Sequence, residues 1–251
     1  MNSTGTPVIG WMVCIEGPDK GVDFNLVNAP AGNGIGANEN MAVVIRGDKD
    51  VLDENHGIIR FDENCQKCFI APGHGKRIIR LNNQVVFGPM YLKPYDRISI
   101  GASEYIFMPY GGIIDPNTTW VRVKNKQPSL DVLTDLESCV VKPCVGWLVE
   151  RNMEYTGVAH RLSADYNYIG RGNFMDVSVP ADTTMQEENQ AAVVYDSREN
   201  IFFFVPLVAN NGYYINGMPV NGVVQLNGFE EISVGMTRFC FVPLCGDYFR
   251  W

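Results

Sequence analysis

The chain has 251 residues, 46% of them hydrophobic and 19% charged, with a formal net charge of −8. That balance fits a soluble globular protein and argues against a general nucleic-acid binder, which needs a basic face. The longest apolar runs, such as Ile201-Phe202-Phe203-Phe204-Val205, are far too short to cross a bilayer as a helix, so no membrane insertion is expected.

Met1-Asn2-Ser3-Thr4-Gly5 has neither the basic region nor the apolar stretch of a secretory leader. Seven scattered cysteines, an odd number, suit a reducing cytoplasm, where we expect the protein to reside. From there the sequence reads as all-β, with short runs of Val, Ile, Phe and Tyr between Gly, Asn, Asp and Pro. Strands are expected at Gly10–Glu16, Asp23–Val27, Asn33–Ala37, Met41–Ile45 and His56–Phe61. Cys68–Ala71, Arg77–Leu81, Gln84–Val86, Arg97–Ile100 and Glu104–Met108 follow. Asn82-Asn83 has the chemistry of a two-residue hairpin turn.

Residues 111–144 open with Gly111-Gly112 and carry Pro116, Pro128 and Pro143. Ile113, Ile114, Trp120, Val121 and Leu130 make this connector too apolar for a free linker, so it is expected to be ordered. Its best helical candidate is Ser129–Val140.

Beyond the connector the chain repeats itself. Adding 134 to a residue number carries Asn33, Ile35 and Gly36 onto Asn167, Ile169 and Gly170. The same offset carries Phe69 and Pro72 onto Phe203 and Pro206, Asn82 onto Asn216, and Ser99-Ile100-Gly101 onto Ser233-Val234-Gly235. It runs without a gap from Asn33 to Pro109, and becomes 136 upstream, where Gly10-Trp11 meets Gly146-Trp147. A unit of this length is a duplicated domain rather than a solenoid repeat. The expected organisation is a first β-sandwich over residues 1–110, the connector, and a second sandwich over 145–251. The copies differ in charge. Residues 1–110 have a net of −2, whereas residues 145–251 have a net of −6 and no lysine. An anion site in the second copy must therefore rest on a few arginines in an unfavourable field.

The order of these motifs, twice over, resembles the forkhead-associated (FHA) domain, a β-sandwich that reads phosphothreonine. Glu16-Gly17-Pro18-Asp19-Lys20-Gly21 and Leu92…Asp96-Arg97-Ile98-Ser99-Ile100-Gly101 carry the likeness in the first copy. Ile169-Gly170-Arg171, Asn211-Gly212, Asn216-Gly217 and Leu226…Ile232-Ser233-Val234-Gly235 carry it in the second. The resemblance implies a phosphate pocket made by an Ile-Gly-Arg arginine and the serine of Ser-x-x-His. It implies also a histidine that supports the loop, and an Asn-Gly asparagine that holds the peptide backbone. A guanidinium fork and a hydroxyl suit a phosphate with about two charges and three strong acceptors.

Carried over by position, the pocket is degenerate in both copies. In the first, Ala37 replaces the arginine, Asp53 replaces the serine, His56 is kept, and Arg77-Ile78 replaces Asn-Gly. In the second, Arg171 and Asn211 are kept, Glu187 replaces the serine and Gln190 the histidine. A carboxylate at ~4 Å from a phosphate charge costs about 1 kcal/mol even in water. Thr183 and Thr184, in the same loop as Glu187, are candidate substitute hydroxyls. Lys49, His74, Lys76 and Arg77 are a candidate anion cluster of the first copy, against the plainer reading of solvated loop charges.

The remaining motifs are weak. Cys65-x-x-Cys68 is half a zinc knuckle, better read as two hairpin thiols. Gly32-x-Gly34-x-x-Ala37 lies inside a β repeat, where the dinucleotide fingerprint does not function. With three histidines and no Ser/His/acid grouping, no catalytic site, cofactor, metal or small-molecule substrate is expected. The resulting expectation is a non-catalytic, bacterial-type adaptor with a protein partner that carries phosphothreonine. The alternative is a phosphate-independent scaffold or assembly subunit whose pockets are vestigial.

Overall fold

The computed structural model describes residues 6–74, 77–110, 141–152, 155–209 and 212–251. These fall into two compact units. The proposed helix over Ser129–Val140 and most of the connector lie outside the described residues, as do Lys76 and Asn211.

The first unit has eleven strands in two sheets. One sheet contains β1 (Val8–Glu16), β2 (Asp23–Val27), β7 (Ile79–Leu81), β8 (Gln84–Val85), β10 (Arg97–Ile100) and β11 (Ser103–Pro109), ordered β2-β1-β11-β10-β7-β8. The other contains β3 (Asn33–Gly36), β4 (Val43–Val44), β5 (Gly57–Asp62), β6 (Lys67–Pro72) and β9 (Met90–Tyr91), ordered β4-β3-β5-β6-β9. Side chains alternate along each strand, so one set from each sheet points inward. Met12, Phe24, Leu26, Tyr105 and Phe107 of the first sheet bury against Ile35, Ile59, Cys68 and Ile70 of the second. Fully burying one such side chain is worth about 1.5–3 kcal/mol, and this set is the core of a sandwich.

The second unit repeats the first strand for strand. Its sheets are β13-β12-β22-β21-β18-β19 and β15-β14-β16-β17-β20. The first comprises β12 (Cys144–Asn152), β13 (Tyr155–Ser163), β18 (Tyr213–Ile215), β19 (Met218–Val220), β21 (Glu231–Val234) and β22 (Thr237–Pro243). The second comprises β14 (Asp165–Gly170), β15 (Val177–Ser178), β16 (Ala191–Asp196), β17 (Ile201–Pro206) and β20 (Val224–Leu226). Register repeats too, with Asn33 opposite Ile59 and Asn167 opposite Val193. Between the sheets, Phe202 meets Phe241 with ring centroids 4.8 Å apart, and Phe204 meets Tyr213 at 5.8 Å.

Matched polar residues explain why the offset survives. Asn33 is fully buried and holds both Val27 backbone groups and the Ile59 carbonyl. Asn167 does the same with both Ser163 backbone groups and the Val193 carbonyl. A buried amide whose donors and acceptor are all satisfied fixes one chain geometry, and few other side chains fit it. The hairpin turns behave as expected. Asn82 and Asn83 have φ of 49° and 67°, and Asn216 and Gly217 have 50° and 75°.

Two features differ from the sequence reading. Strand β9 was not foreseen, because Met90–Tyr91 is short and lies between Gly88-Pro89 and Pro94. His160 also has a structural partner, its Nε2 lying 2.8 Å from Glu150 Oε1 in a half-buried pair. The sequence had offered such a role to His56 alone.

Six of the cysteines are described, all free, and only Cys65 is exposed. Burial pushes the Cys68 thiol up to about 12, so its reactive thiolate is scarce. An alkylating reagent should therefore modify Cys65 first among these six in the native protein, as read by peptide mass spectrometry. Prompt labelling of Cys68 would contradict this packing.

Candidate functional site

Those expected site residues that are described lie on loops at one end of each sandwich. In both units the loop after the third strand is stitched to the loop before the fifth. In the first unit Ala37 N–H donates to Leu52 O at 2.9 Å and Asn38 N–H to Asp53 O at 2.8 Å. In the second, Arg171 N–H donates to Gln186 O at 2.9 Å and Gly172 N–H to Glu187 O at 2.8 Å. The glycine before this contact is required by the approach of the loops. A Cβ on Gly36 would collide with the Asp53 carbonyl, and one on Gly170 would sit 2.9 Å from the Glu187 carbonyl. The loops that carry Ala37 and Asp53, and Arg171 and Glu187, are thus held side by side by their backbones.

A second tie joins this loop to the hairpin between the last two strands. Asp182 is almost fully buried. Its Oδ1 accepts from Thr184 N–H at 3.0 Å and Thr184 Oγ1 at 2.5 Å. Its Oδ2 accepts from Met236 N–H at 2.9 Å and Thr237 Oγ1 at 2.7 Å. Burial pushes this carboxyl up, but the Thr184 and Thr237 hydrogen bonds outweigh it and hold the carboxyl below its ordinary value. The first unit repeats the tie through Asp48, which accepts from Ala102 N–H at 2.7 Å and from Asp50 N–H at 2.9 Å. Thr184 is therefore committed to Asp182. Thr183 is exposed and remains the hydroxyl nearest in sequence to Glu187 without such a bond.

Electrostatically the two ends differ. Arg171 is exposed, and among the described residues it is engaged only through its backbone amide. Glu187 is also exposed and forms no ion pair with it. In the first unit Arg77 is paired with Asp50 at 3.0 Å and Arg46 with Glu39 at 2.8 Å. Asp53, Lys49 and His74 are exposed there. The cation cluster foreseen for that copy is thus partly neutralised by its own carboxylates.

The second unit also carries apolar residues at this end that the first lacks. Phe174 is 63% exposed and lies against Gly172, while Met236 is 67% exposed at the hairpin tip. Leu207 is exposed on the loop after β17. At the matched positions the first unit has Asn40, Ala102 and Gly73. Among the described residues no group of three or more His, Cys, Asp or Glu converges as a metal site.

No family model matches the chain, and no curated protein does so either. Solved structures do. An FHA domain from a study of phosphothreonine-dependent interactions is 22% identical, with a TM-score of 0.33, over 38% of this chain and 95% of that one. The FHA domain of a Chlamydia trachomatis protein is 17% identical over 39% of this chain and 96% of its own, with a TM-score of 0.35. The yeast Dun1 FHA domain, solved with a doubly phosphorylated peptide, is 20% identical over 39% and 74%, with a TM-score of 0.34. The chain is similar to forkhead-associated domains.

Proposed function

We propose that the protein is a non-catalytic interaction adaptor whose second unit binds a phosphothreonine-containing segment through Arg171. The observation that carries this reading is an exposed guanidinium with no ion pair, on a loop whose backbone is pinned at both ends. In a field of net −6, a cation without a partner is poised for an external anion. Phe174, Met236 and Leu207 give the bound segment apolar contacts beside the phosphate. Asn211 is assigned to the peptide backbone by the resemblance alone. In the first unit Ala37 supplies no charge and Asp53 repels, so that copy holds no phosphate by this route.

The test is titration of the full chain with a phosphothreonine peptide library and its unphosphorylated counterpart. Glu187→Ser is expected to tighten phosphopeptide binding about tenfold, equivalent to about 1.4 kcal/mol, by removing a carboxylate and adding a donor. Binding should weaken as salt is added and as pH falls below the phosphate's second pKa of about 6. A chain that ignores every phosphopeptide both before and after Glu187→Ser would sink the reading.

A second reading is favoured by the outer face of the β14–β16–β17 sheet. Tyr166 and Tyr168 stack there with centroids 5.6 Å apart, beside Val194, Phe203 and Val205. Gly32, Gly34, Arg60, Phe69 and Ala71 stand at the matched positions of the first unit. Such a face suits a phosphate-independent scaffold. In that case a partner is retained equally with or without phosphatase treatment.

A further inference from the structure

We infer that Gln190 and Tyr213 form the brace that positions the second unit's site loops, replacing the histidine brace of the first unit with one that has no imidazole. The inference rests on the reading of the Arg171 end as the ligand site, and it concerns what holds that end in shape.

In the first unit His56 is buried, and its Nδ1 accepts the Leu52 N–H at 3.1 Å. Leu52 is the residue whose carbonyl receives the Ala37 amide. The ring therefore holds the strip that pins the arginine-equivalent position. Its buried Nε2 has no hydrogen bond of full geometry, but the Ile78 backbone faces the ring closely enough to favour its protonated form. Burial pushes the imidazole below its ordinary pKa, and Arg77 adds to this while Asp48 opposes it. These two are the charged groups that face the ring, Arg77 from the segment entering β7 and Asp48 from the loop that ends at β5.

The second unit builds the same bond from different atoms. Gln190, also fully buried, accepts the Gln186 N–H on Oε1 at 2.9 Å. Gln186 is in turn the residue whose carbonyl receives the Arg171 amide. The other end of the side chain is satisfied as well, since Gln190 Nε2 donates to Tyr213 Oη at 3.1 Å. That hydroxyl lies 2.7 Å from the Gln190 carbonyl and 3.0 Å from the Val208 carbonyl, with its single proton available to either. Tyr213 replaces Ile79 of the first unit. The pair thus ties the loop bearing Glu187 to the loop after β17 through the Val208 carbonyl. What resembles a lost histidine in the motif is a paired substitution in the structure. Fully satisfied buried networks fix one geometry, whereas an imidazole loses its acceptor when protonated.

The experiment is amide hydrogen exchange by NMR on the full chain, read as protection factors, with phosphopeptide titration alongside. Tyr213→Phe should lower protection of the Gln186 amide about tenfold and weaken phosphopeptide binding by a similar factor. Because burial lowers the His56 pKa, the wild-type chain should keep Leu52 protection at neutral pH and lose it only well below the ordinary imidazole range, while Gln186 keeps its own throughout. Gln190→His should retain Gln186 protection at neutral pH and lose it in acid, transferring the first unit's behaviour to the second. Unchanged Gln186 protection in Tyr213→Phe, or a pH-independent Gln190→His, would overturn the inference. So would binding that persists unaltered while protection is lost. A wild-type chain that binds no phosphopeptide defeats the Arg171 reading instead, and the exchange pattern still decides the brace.

Discussion

Arg171→Ala is expected to abolish phosphothreonine binding by the full chain, with an affinity loss above about a hundredfold, or roughly 2.7 kcal/mol. Several effects add. Arg171 is the exposed cation at the loop end of the second unit that carries no ion pair among the described residues. Its loss removes charge-assisted hydrogen bonds worth about 1.5–3 kcal/mol. It also leaves Glu187 facing the phosphate uncompensated. The first unit cannot take over, because Ala37 occupies the matched position and Arg77 is held by Asp50. Arg171→Lys should recover little, since a point charge does not reproduce a planar fork. Because the Arg171 backbone amide, not its side chain, makes the structural bond to Gln186, the variant should keep its melting temperature. Isothermal titration and thermal unfolding of the same sample separate the two. Undiminished binding in Arg171→Ala would move the site elsewhere. Retained binding by residues of the first unit would point to Lys76 and Arg77.

The architecture was largely legible because its signals are periodic. An ungapped offset over Asn33 to Pro109 forces loops of equal length, and the structure repeats strand, register and turn at that offset. Short strands hemmed by Gly and Pro, such as Met90–Tyr91, carry too few residues to show a period. The site was legible only as positions. The loops that carry Arg171 and Glu187, and Ala37 and Asp53, are stitched by backbone bonds that form whatever the side chains. Gln190 stands where the motif has its histidine, and the replacement alone says nothing about whether a neighbour has changed with it. Tyr213 lies 23 residues away and meets Gln190 only in the folded chain. Asp48 and Asp182 were missed for another reason. They share the 134 offset, but matched aspartates in loops look like solvated charges until their partners at Ala102 and Met236 are seen.

That aspartate carries the largest expected stability effect. Asp182→Ala should cost the second unit about 1.5–3 kcal/mol, a sizeable share of the about 5–15 kcal/mol typical of a domain. The side chain accepts from four donors, two on Thr184 and one each on Met236 and Thr237. Alanine removes all four acceptor contacts and leaves the Thr237 hydroxyl buried with no acceptor in place of the carboxylate. Asn should also destabilise, because its amide turns a donor toward groups that are themselves donors. Asp48→Ala should cost less, as Asp48 is less buried and its contact to Ser103 Oγ is long at 3.4 Å. The pH dependence fixes the cause. The native Asp182 carboxyl is held below its ordinary value, so its contribution is present above the unfolded pKa of about 3.9. It is lost as pH falls through the depressed native pKa, and the gap between wild type and Asp182→Ala should close in acid. Urea unfolding at neutral and acid pH, followed through residues of the second unit, measures both. A variant as stable as wild type at neutral pH would show that the hairpin at Met236 is held by something other than this carboxylate. The loop carrying Glu187 would then need a different anchor.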